Sequence, residues 1–282
     1  FITKCVAFGD LKIFEDAMTY VSIFSFTNNR TEVFEYYKID NLSVASSGQY
    51  GKPQQIDIST LSDNNWNLAK YSQQNVFDKI CSNNKCLGEI GNAHAGLFTG
   101  LDSVLMFNGE ELQKYKFETD LILPVIRAEN CHRYFCTPTD KYVIYPYQYE
   151  NGKTIVLSEE ELSSHYPNVY EYLVQHKNEL GQRKDSRKTM SERKDWYTLT
   201  RFGQKNVFNK NKIVSPGEVK NHKFCIDNSG AGFSCARVFA ITIEKNDLDL
   251  RYVLCILNSN IMKSYIQSYA SLKAGGYYSY SS

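Results

Sequence analysis

The stretch from Ser158 to Leu180 carries the clearest helical pattern in the chain, and it sits among short runs that alternate apolar and polar residues. Ser158 with Glu161 three residues on forms a capping box. Pro167 then restarts a helix at a position where its missing N–H costs nothing. Val169, Tyr172, Leu173, His176 and Leu180 fall on one face, which places His176 in the core. On either side the periodicity drops to two. Residues 1–8 and 19–27 read as strands, as do 97–107, 121–126, 141–147, 212–215, 223–227 and 238–243. A helix is expected over 66–80 and a helix pair over 250–269, with Val253, Leu254, Leu257, Ile261, Tyr265 and Ile266 apolar. Strands interleaved with a few helices predict a mixed α/β (α+β) fold.

At 282 residues, one or two domains are expected. Apolar residues at 42% and charged residues at 22% exclude the disordered and fibrous classes. No run of 18 apolar residues occurs, so no membrane span is expected. The chain opens at Phe1 inside a strand-like run, which reads as a piece of something longer.

Eight cysteines lie at 5, 81, 86, 131, 136, 225, 235 and 255. Cys81/Cys86 and Cys131/Cys136 are each spaced Cys-x4-Cys, looser than zinc knuckles and without further ligands at set spacing. Cys5, Cys225 and Cys255 sit in apolar runs, as small buried hydrophobes do. Reduced, unliganded thiols, no metal and a cytoplasmic location are the expectation.

Charge is uneven although the total is only +1. Residues 1–100 are net −2, residues 101–180 net −6 and residues 181–282 net +9. A basic last third is the footprint of a polyanion-binding face, or simply a solvated surface. The densest part is 181–195, with Arg183, Lys184, Arg187, Lys188, Arg193 and Lys194 and almost no apolar content. It reads as an exposed loop or frayed helix end whose cations neutralise phosphates. Trp196, Tyr197, Arg201, Phe202 and Lys205 follow, where aromatics anchor the loop or stack on bases.

No Walker loop, His-Glu-x-x-His or Gly-x-Ser-x-Gly motif is present. The glycine-rich stretch 88–100 lacks phosphate-binding spacing; it reads as an ordinary turn, or as a loop that lets backbone pass close to a bulky partner. His132 and Arg133, near Arg127, form a polar aromatic cluster that could touch nucleic acid.

Taken in order, several motifs resemble one family. Phe8-Gly-Asp10, Phe14 to Ala17 and Thr19 to Ile23 are similar to the last strands of the class I methyltransferase fold in adenine-specific DNA methylases of the type IIG and BREX kinds. Gly96-Leu-Phe-Thr-Gly100 with Val104 to Phe107 resembles the turn that opens their recognition region. Arg127 to Tyr134, Tyr142 to Tyr145, Tyr166-Pro167, Tyr172-Leu173, Leu180, Arg183, Trp196 to Leu199, Arg201, Lys212 to Val214, Phe224 to Asp227 and Tyr252 to Ser259 complete the set. The whole resembles a TaqI-type C-terminal specificity domain. The resemblance implies sequence-specific binding of double-stranded DNA, as the target-recognition part of an N6-adenine methyltransferase in restriction-modification or phage defence. The expected DNA contacts are Thr99, Arg127, His132, Arg133, the basic loop, Trp196, Arg201 and Lys205. The family's S-adenosylmethionine loop and Asn-Pro-Pro-Tyr clamp have no match here. The base-flipping pocket and cofactor are therefore expected upstream, in an N-terminal methyltransferase domain that this chain would partner, and not in this chain.

The expected organisation is methyltransferase strands at 1–29, a Ser/Gly/Asn-rich linker at 30–65 and a recognition domain at 66–282. The rival expectation is a protein-interaction domain docking a partner subunit or anti-restriction protein, which the acidic middle allows. A zinc-organised enzyme is a third.

Overall fold

In a computed structural model, all residues are described except 10, 18, 62–65, 67, 69–78, 81, 83–84, 186–187, 235–237, 246, 274 and 281–282, together with the side chain of Lys188. The helix expected over 66–80 falls largely outside the described residues, as do Cys81, Cys235 and Arg187. The chain forms two compact units. The first comprises Phe1–Lys85, Glu218–Lys220 and Asn260–Ser282; the second comprises Cys86–Gly217 and Asn221–Ser259.

The first unit holds a four-stranded sheet in the order Ser22–Phe26, Ile2–Ala7, Val33–Lys38, Gln54–Asp57. Ile2–Ala7 runs antiparallel to the first of these and parallel to Val33–Lys38. The period of two turns Phe34 and Tyr36 inward onto Cys5 and Ile56. Two of these strands, Val33–Lys38 and Gln54–Asp57, lie in the stretch read from composition as a linker, which is corrected. The glycines and serines there serve turns and the helix Leu42–Ser47, capped by Asn41 and ended by left-handed Gly48. A three-stranded sheet of Glu218–Val219, Tyr277–Ser279 and Ser271–Lys273 and the helix Asn260–Tyr269 complete this unit.

Two larger sheets and two short hairpins are found in the second unit. One runs Gly91–Ala95, Val238–Ile243, Lys212–Pro216, Cys225–Asp227, Tyr134–Phe135. The other runs Gly232–Phe233, Ile122–Ile126, Lys141–Ile144, Met106–Asn108. Glycine allows close backbone approaches at the first strand of the first sheet and just after it: a Cβ at Gly91 would overlap the Thr242 carbonyl, and one at Gly96 the Phe233 carbonyl. At Gly91 and Gly96 the bulky neighbour is thus the protein's own backbone. Lys212 and Asp227 are register partners, both buried, and pair at 2.5 Å.

The helical stretch forms as three pieces, Glu159–His165, Pro167–Gln175 and Lys177–Gly181, with the Ser158/Glu161 capping box in place. Val169, Tyr172, Leu173 and Leu180 are buried. His176 is not in the core; it ends a helix half-exposed, 3.0 Å from Glu179, with its ring tilted against that of Tyr172. The run 97–107 is not one strand, because the chain turns through a short helix, Asp102–Leu105, before Met106–Asn108. Cys5 and Cys225 are buried as expected, but Cys255 is exposed, on the face of its helix opposite Val253, Leu254 and Leu257. Among the described residues no helix is long and apolar enough to cross a membrane.

Candidate nucleic-acid interface

Arg183 follows the helix Lys177–Gly181 and is turned inward, with only 6% of its surface exposed. Its Nε donates to the Leu180 carbonyl at 2.9 Å, Nη1 to Thr99 at 2.6 Å and Nη2 to Trp196 at 2.7 Å. Burial pulls its guanidinium down to about 10, which leaves it charged at neutral pH. The placement of Arg183 among exposed phosphate contacts is therefore corrected: a cation with three carbonyl acceptors can be buried where a bare one cannot. Arg183 braces the loop at Thr99 and Gly100 from below. Thr99 is buried, and its hydroxyl donates to the Asp102 carboxylate while accepting from Leu101 N at 3.1 Å. Asp102 lies 3.4 Å from Arg127 Nη1, so the expected pair Thr99 and Arg127 meet through one carboxylate. Gly100 is left-handed, with φ 74, and stands against Thr200 and Arg183, where a side chain would collide.

Above this brace, Phe98 and Arg201 exchange backbone hydrogen bonds of 2.7 and 3.0 Å. Thr200 Oγ1 donates to the Phe98 carbonyl at 2.9 Å, and Tyr145 donates to that of Phe202 at 3.0 Å. The result is a fixed ledge that presents Phe98, Arg201 and Phe202 to solvent. Lys205 lies 5.8 Å over the Tyr145 ring at its side. Trp196 is not on the ledge: it is buried, donating to Glu159 at 2.8 Å, with the Lys177 ammonium 4.7 Å over its ring. Of the two roles expected for it, loop anchor and base contact, its position is that of the internal anchor.

A second exposed group caps the turn between Cys131 and Cys136, which face each other as an antiparallel bridge. His132 and Phe135 stack at 4.8 Å. Tyr134 N donates to the Phe224 carbonyl, and Arg133 Nη2 donates to that of Asn258 at 2.7 Å while its guanidinium lies 5.0 Å over the Tyr134 ring. Tyr134 is held at φ 80, a left-handed conformation unusual for a bulky residue. Tyr134 and Phe135 stay 45% and 58% exposed despite this anchoring.

The remaining cations form a third group. Lys184–Asp185 and Lys188–Thr189 pair as a short hairpin, with Lys184 exposed. Arg193 is committed to two carboxylates, Asp185 at 2.6 Å and Asp195 at 2.7 Å. The Arg193 hydrogen bonds outweigh burial and hold the Asp195 carboxyl below the usual range. Lys194 is exposed beside it. A neighbouring open cleft of about 1160 Å³ mixes Glu159, Glu160 and Asp195 with Lys177, Arg193 and Lys194, a poor match for a polyanion.

The structure thus distributes the expected residues over a ledge, a tip and a hairpin. The exposed aromatics Phe98 and Phe135 were missing from the expected stretches, whereas Tyr134 and Phe202, each directly following an arginine, lay within them. Chemically, ledge and tip offer arginines that can meet phosphates or guanine edges, beside flat rings that can stack. Among the described residues no three His, Cys, Asp or Glu side chains are arranged to hold a metal ion.

The family of TaqI-like C-terminal specificity domains matches residues 123–282. The chain is 19% identical to the type II restriction enzyme and methyltransferase RM.Eco57I of Escherichia coli, over 96% of this chain and 30% of that protein. It is 24% identical to the type II methyltransferase M.MjaIV of Methanocaldococcus jannaschii, over 67% of this chain and 61% of that one. Among solved structures, the type IIL restriction-modification enzyme MmeI in complex with DNA shares the fold, with a TM-score of 0.60 and 11% identity over 99% of this chain and 34% of MmeI. The chain therefore spans less than two thirds of each of these proteins.

Proposed function

From the membership of this chain in the TaqI-like C-terminal specificity domain family, we propose that it reads the DNA target of a restriction-modification methyltransferase. The observation that carries this is the ledge: Phe98, Arg201 and Phe202 are exposed yet fixed by backbone hydrogen bonds and by the buried Arg183 brace. A backbone held before a ligand arrives loses little freedom on binding. The tip at His132–Phe135 is the second reading element in this proposal, and Lys184 and Lys194 supply phosphate contacts. Arg187 and Lys188 stay in the proposal on sequence grounds alone.

The finer reading is that the methylated base is adenine, at N6, within a restriction-modification or phage-defence system in the cytoplasm. The adenine assignment rests on the sequence resemblance. In this proposal S-adenosylmethionine and the transfer chemistry belong to a methyltransferase domain, and the first unit supplies the contact with it. The edge strand Ser22–Phe26 supports that contact, since it is exposed along its whole length and carries Ile23, Phe24 and Phe26. An exposed apolar edge strand is a ready template for another chain.

Selection of a random-sequence duplex pool on the full-length protein tests the reading. A short enriched motif is expected, and Arg201→Ala or Arg133→Ala should relax one position of it by about 1–3 kcal/mol. Lys184→Ala with Lys194→Ala should leave the motif intact and flatten the log–log salt dependence by about 0.9 per lost phosphate contact. No enriched motif, together with salt-independent binding, would sink the proposal. Host DNA free of N6-methyladenine at an enriched motif would sink only the adenine assignment.

A further inference from the structure

Three free thiols meet beneath the tip. Cys131 and Cys225 are buried, and Cys136 is partly exposed. Cys131 and Cys225 belong to one apolar cluster and Cys136 packs against it; the thiols of Cys131, Cys225 and Cys136 donate to the carbonyls of Arg127, Val214 and Thr137 respectively. Cys131 and Cys136 oppose each other between the bonds Thr137 N to Asn130 O and His132 N to Phe135 O. That pattern marks a non-hydrogen-bonded antiparallel pair, whose Cα atoms stand about 4.5 Å apart with side chains on one face. A disulfide fits that separation without backbone movement. Cys225 sits differently, on a parallel strand whose register partner is Tyr134. A pocket of about 310 Å³ opens onto Cys136, walled by Pro124, Ile126, Pro138, Ile226 and Asp227.

We propose that Cys131 and Cys136 are a redox pair in which Cys136, reached through this pocket, is oxidised first by a small hydroperoxide and Cys131 then closes a disulfide. The Cys136 thiolate attacks the peroxide oxygen. An S–O bond forms, the O–O bond breaks, and the released alkoxide takes a proton to leave as an alcohol, or as water for hydrogen peroxide. Cys131 then attacks the sulfenic sulfur as it gives up its proton. The S–S bond forms and hydroxide leaves with that proton as water. The two sulfurs together lose two electrons, and the peroxide gains them. The neighbouring thiols of Cys131 and Cys225 favour the Cys136 thiolate and hold its thiol well below the usual range, while Cys131 is pushed up, which matches nucleophile and resolver. The disulfide staples the two arms of the turn carrying His132, Arg133, Tyr134 and Phe135.

The test is chemical and does not depend on the DNA reading. Reduced wild-type protein is treated with limiting hydrogen peroxide, blocked with N-ethylmaleimide and mapped by peptide mass spectrometry. The expected product is a Cys131–Cys136 cross-link lighter by two hydrogens, reversed by dithiothreitol. It should form about tenfold or more faster than oxidation of the exposed, isolated Cys255. In Cys131→Ser, dimedone should trap Cys136 as the sulfenic acid. Three wild-type outcomes overturn the proposal: both cysteines recovered as maleimide adducts, Cys136 over-oxidised beside a free Cys131, or the cross-link found at Cys225.

Discussion

Arg183 and Thr99, 84 positions apart in sequence, are joined by a 2.6 Å hydrogen bond from the buried guanidinium to the threonine carbonyl. The same side chain satisfies the carbonyls of Leu180 and Trp196. Removing it leaves three carbonyls short of a donor in a buried place, at about 1–3 kcal/mol each. Arg183→Ala is therefore expected to lower stability by roughly 3 kcal/mol or more, read as a shifted urea midpoint. Arg183→Lys should recover little of this, since an ammonium cannot span three divergent acceptors. A variant that keeps the wild-type midpoint but loses salt-dependent DNA binding would restore Arg183 to the phosphate contacts.

That residue also shows where sequence reasoning stops. The six cations of 183–194 look alike in sequence, and a charge run is usually wet. What distinguishes Arg183 is its set of acceptors, two of them on segments that only the fold brings together. Arg193 is hidden from the same reading by Asp185 and Asp195, a small ion-pair network. By contrast the helices around Pro167 and most strands followed from local signals, because caps and period are local physics. One local signal was legible and missed. Asn151-Gly152, at φ 49 and 81, turns the hairpin Tyr147–Glu150/Lys153–Val156, and Asn-Gly is the strongest short-range hairpin signature. The strand Val33–Lys38 was hidden by the serine- and glycine-rich composition around it.

Lys212 and Asp227 form a pair of the kind that is costly to break and cheap to replace. Lys212 also donates to the Phe208 carbonyl at 2.6 Å, and Asp227 accepts from Ser229 N and Oγ. Lys212→Met and Asp227→Leu should each cost about 3–5 kcal/mol alone. The double variant should fall well short of the sum, with a coupling of about 2 kcal/mol in a thermal-unfolding cycle. Additive losses would show that the two charges stand independently.

Glu118 reaches the start of the helix Pro167–Gln175, accepting from Asn168 N at 3.0 Å, Val169 N at 3.0 Å and Asn168 Nδ2 at 2.9 Å. Burial pushes its carboxyl up, but these hydrogen bonds outweigh it and the net direction is down. A group whose folded value lies below its unfolded one stabilises fully above the unfolded value, about 4.3, and loses that contribution as pH falls through the folded value. Glu118→Gln should thus cost about 1 kcal/mol near neutrality. The gap to wild type should close as pH drops below about 4. A gap that stays constant from pH 7 to pH 3 would mean that the carboxylate charge contributes nothing.

Tyr134 separates stability from recognition. Its left-handed backbone suits glycine, and a bulky residue there costs on the order of 1–3 kcal/mol. Its ring is 45% exposed, touching Arg133, so it returns little by burial. A side chain kept at such a position against its own strain is worth testing as part of the binding surface. Tyr134→Gly relieves the strain but also loosens the unfolded chain, so stability should be unchanged or rise by up to about 1 kcal/mol. DNA affinity of the full-length protein should fall by about 1–3 kcal/mol if the ring stacks on a base. The salt slope should hold, because no charge has been removed. Tyr134→Ala supplies the control: it also loses the ring but keeps the strain, so it should match Tyr134→Gly in affinity and fall below it in stability. If both variants bind DNA as the wild type does, the tip is only a strained turn, and the reading surface reduces to the Phe98–Arg201 ledge.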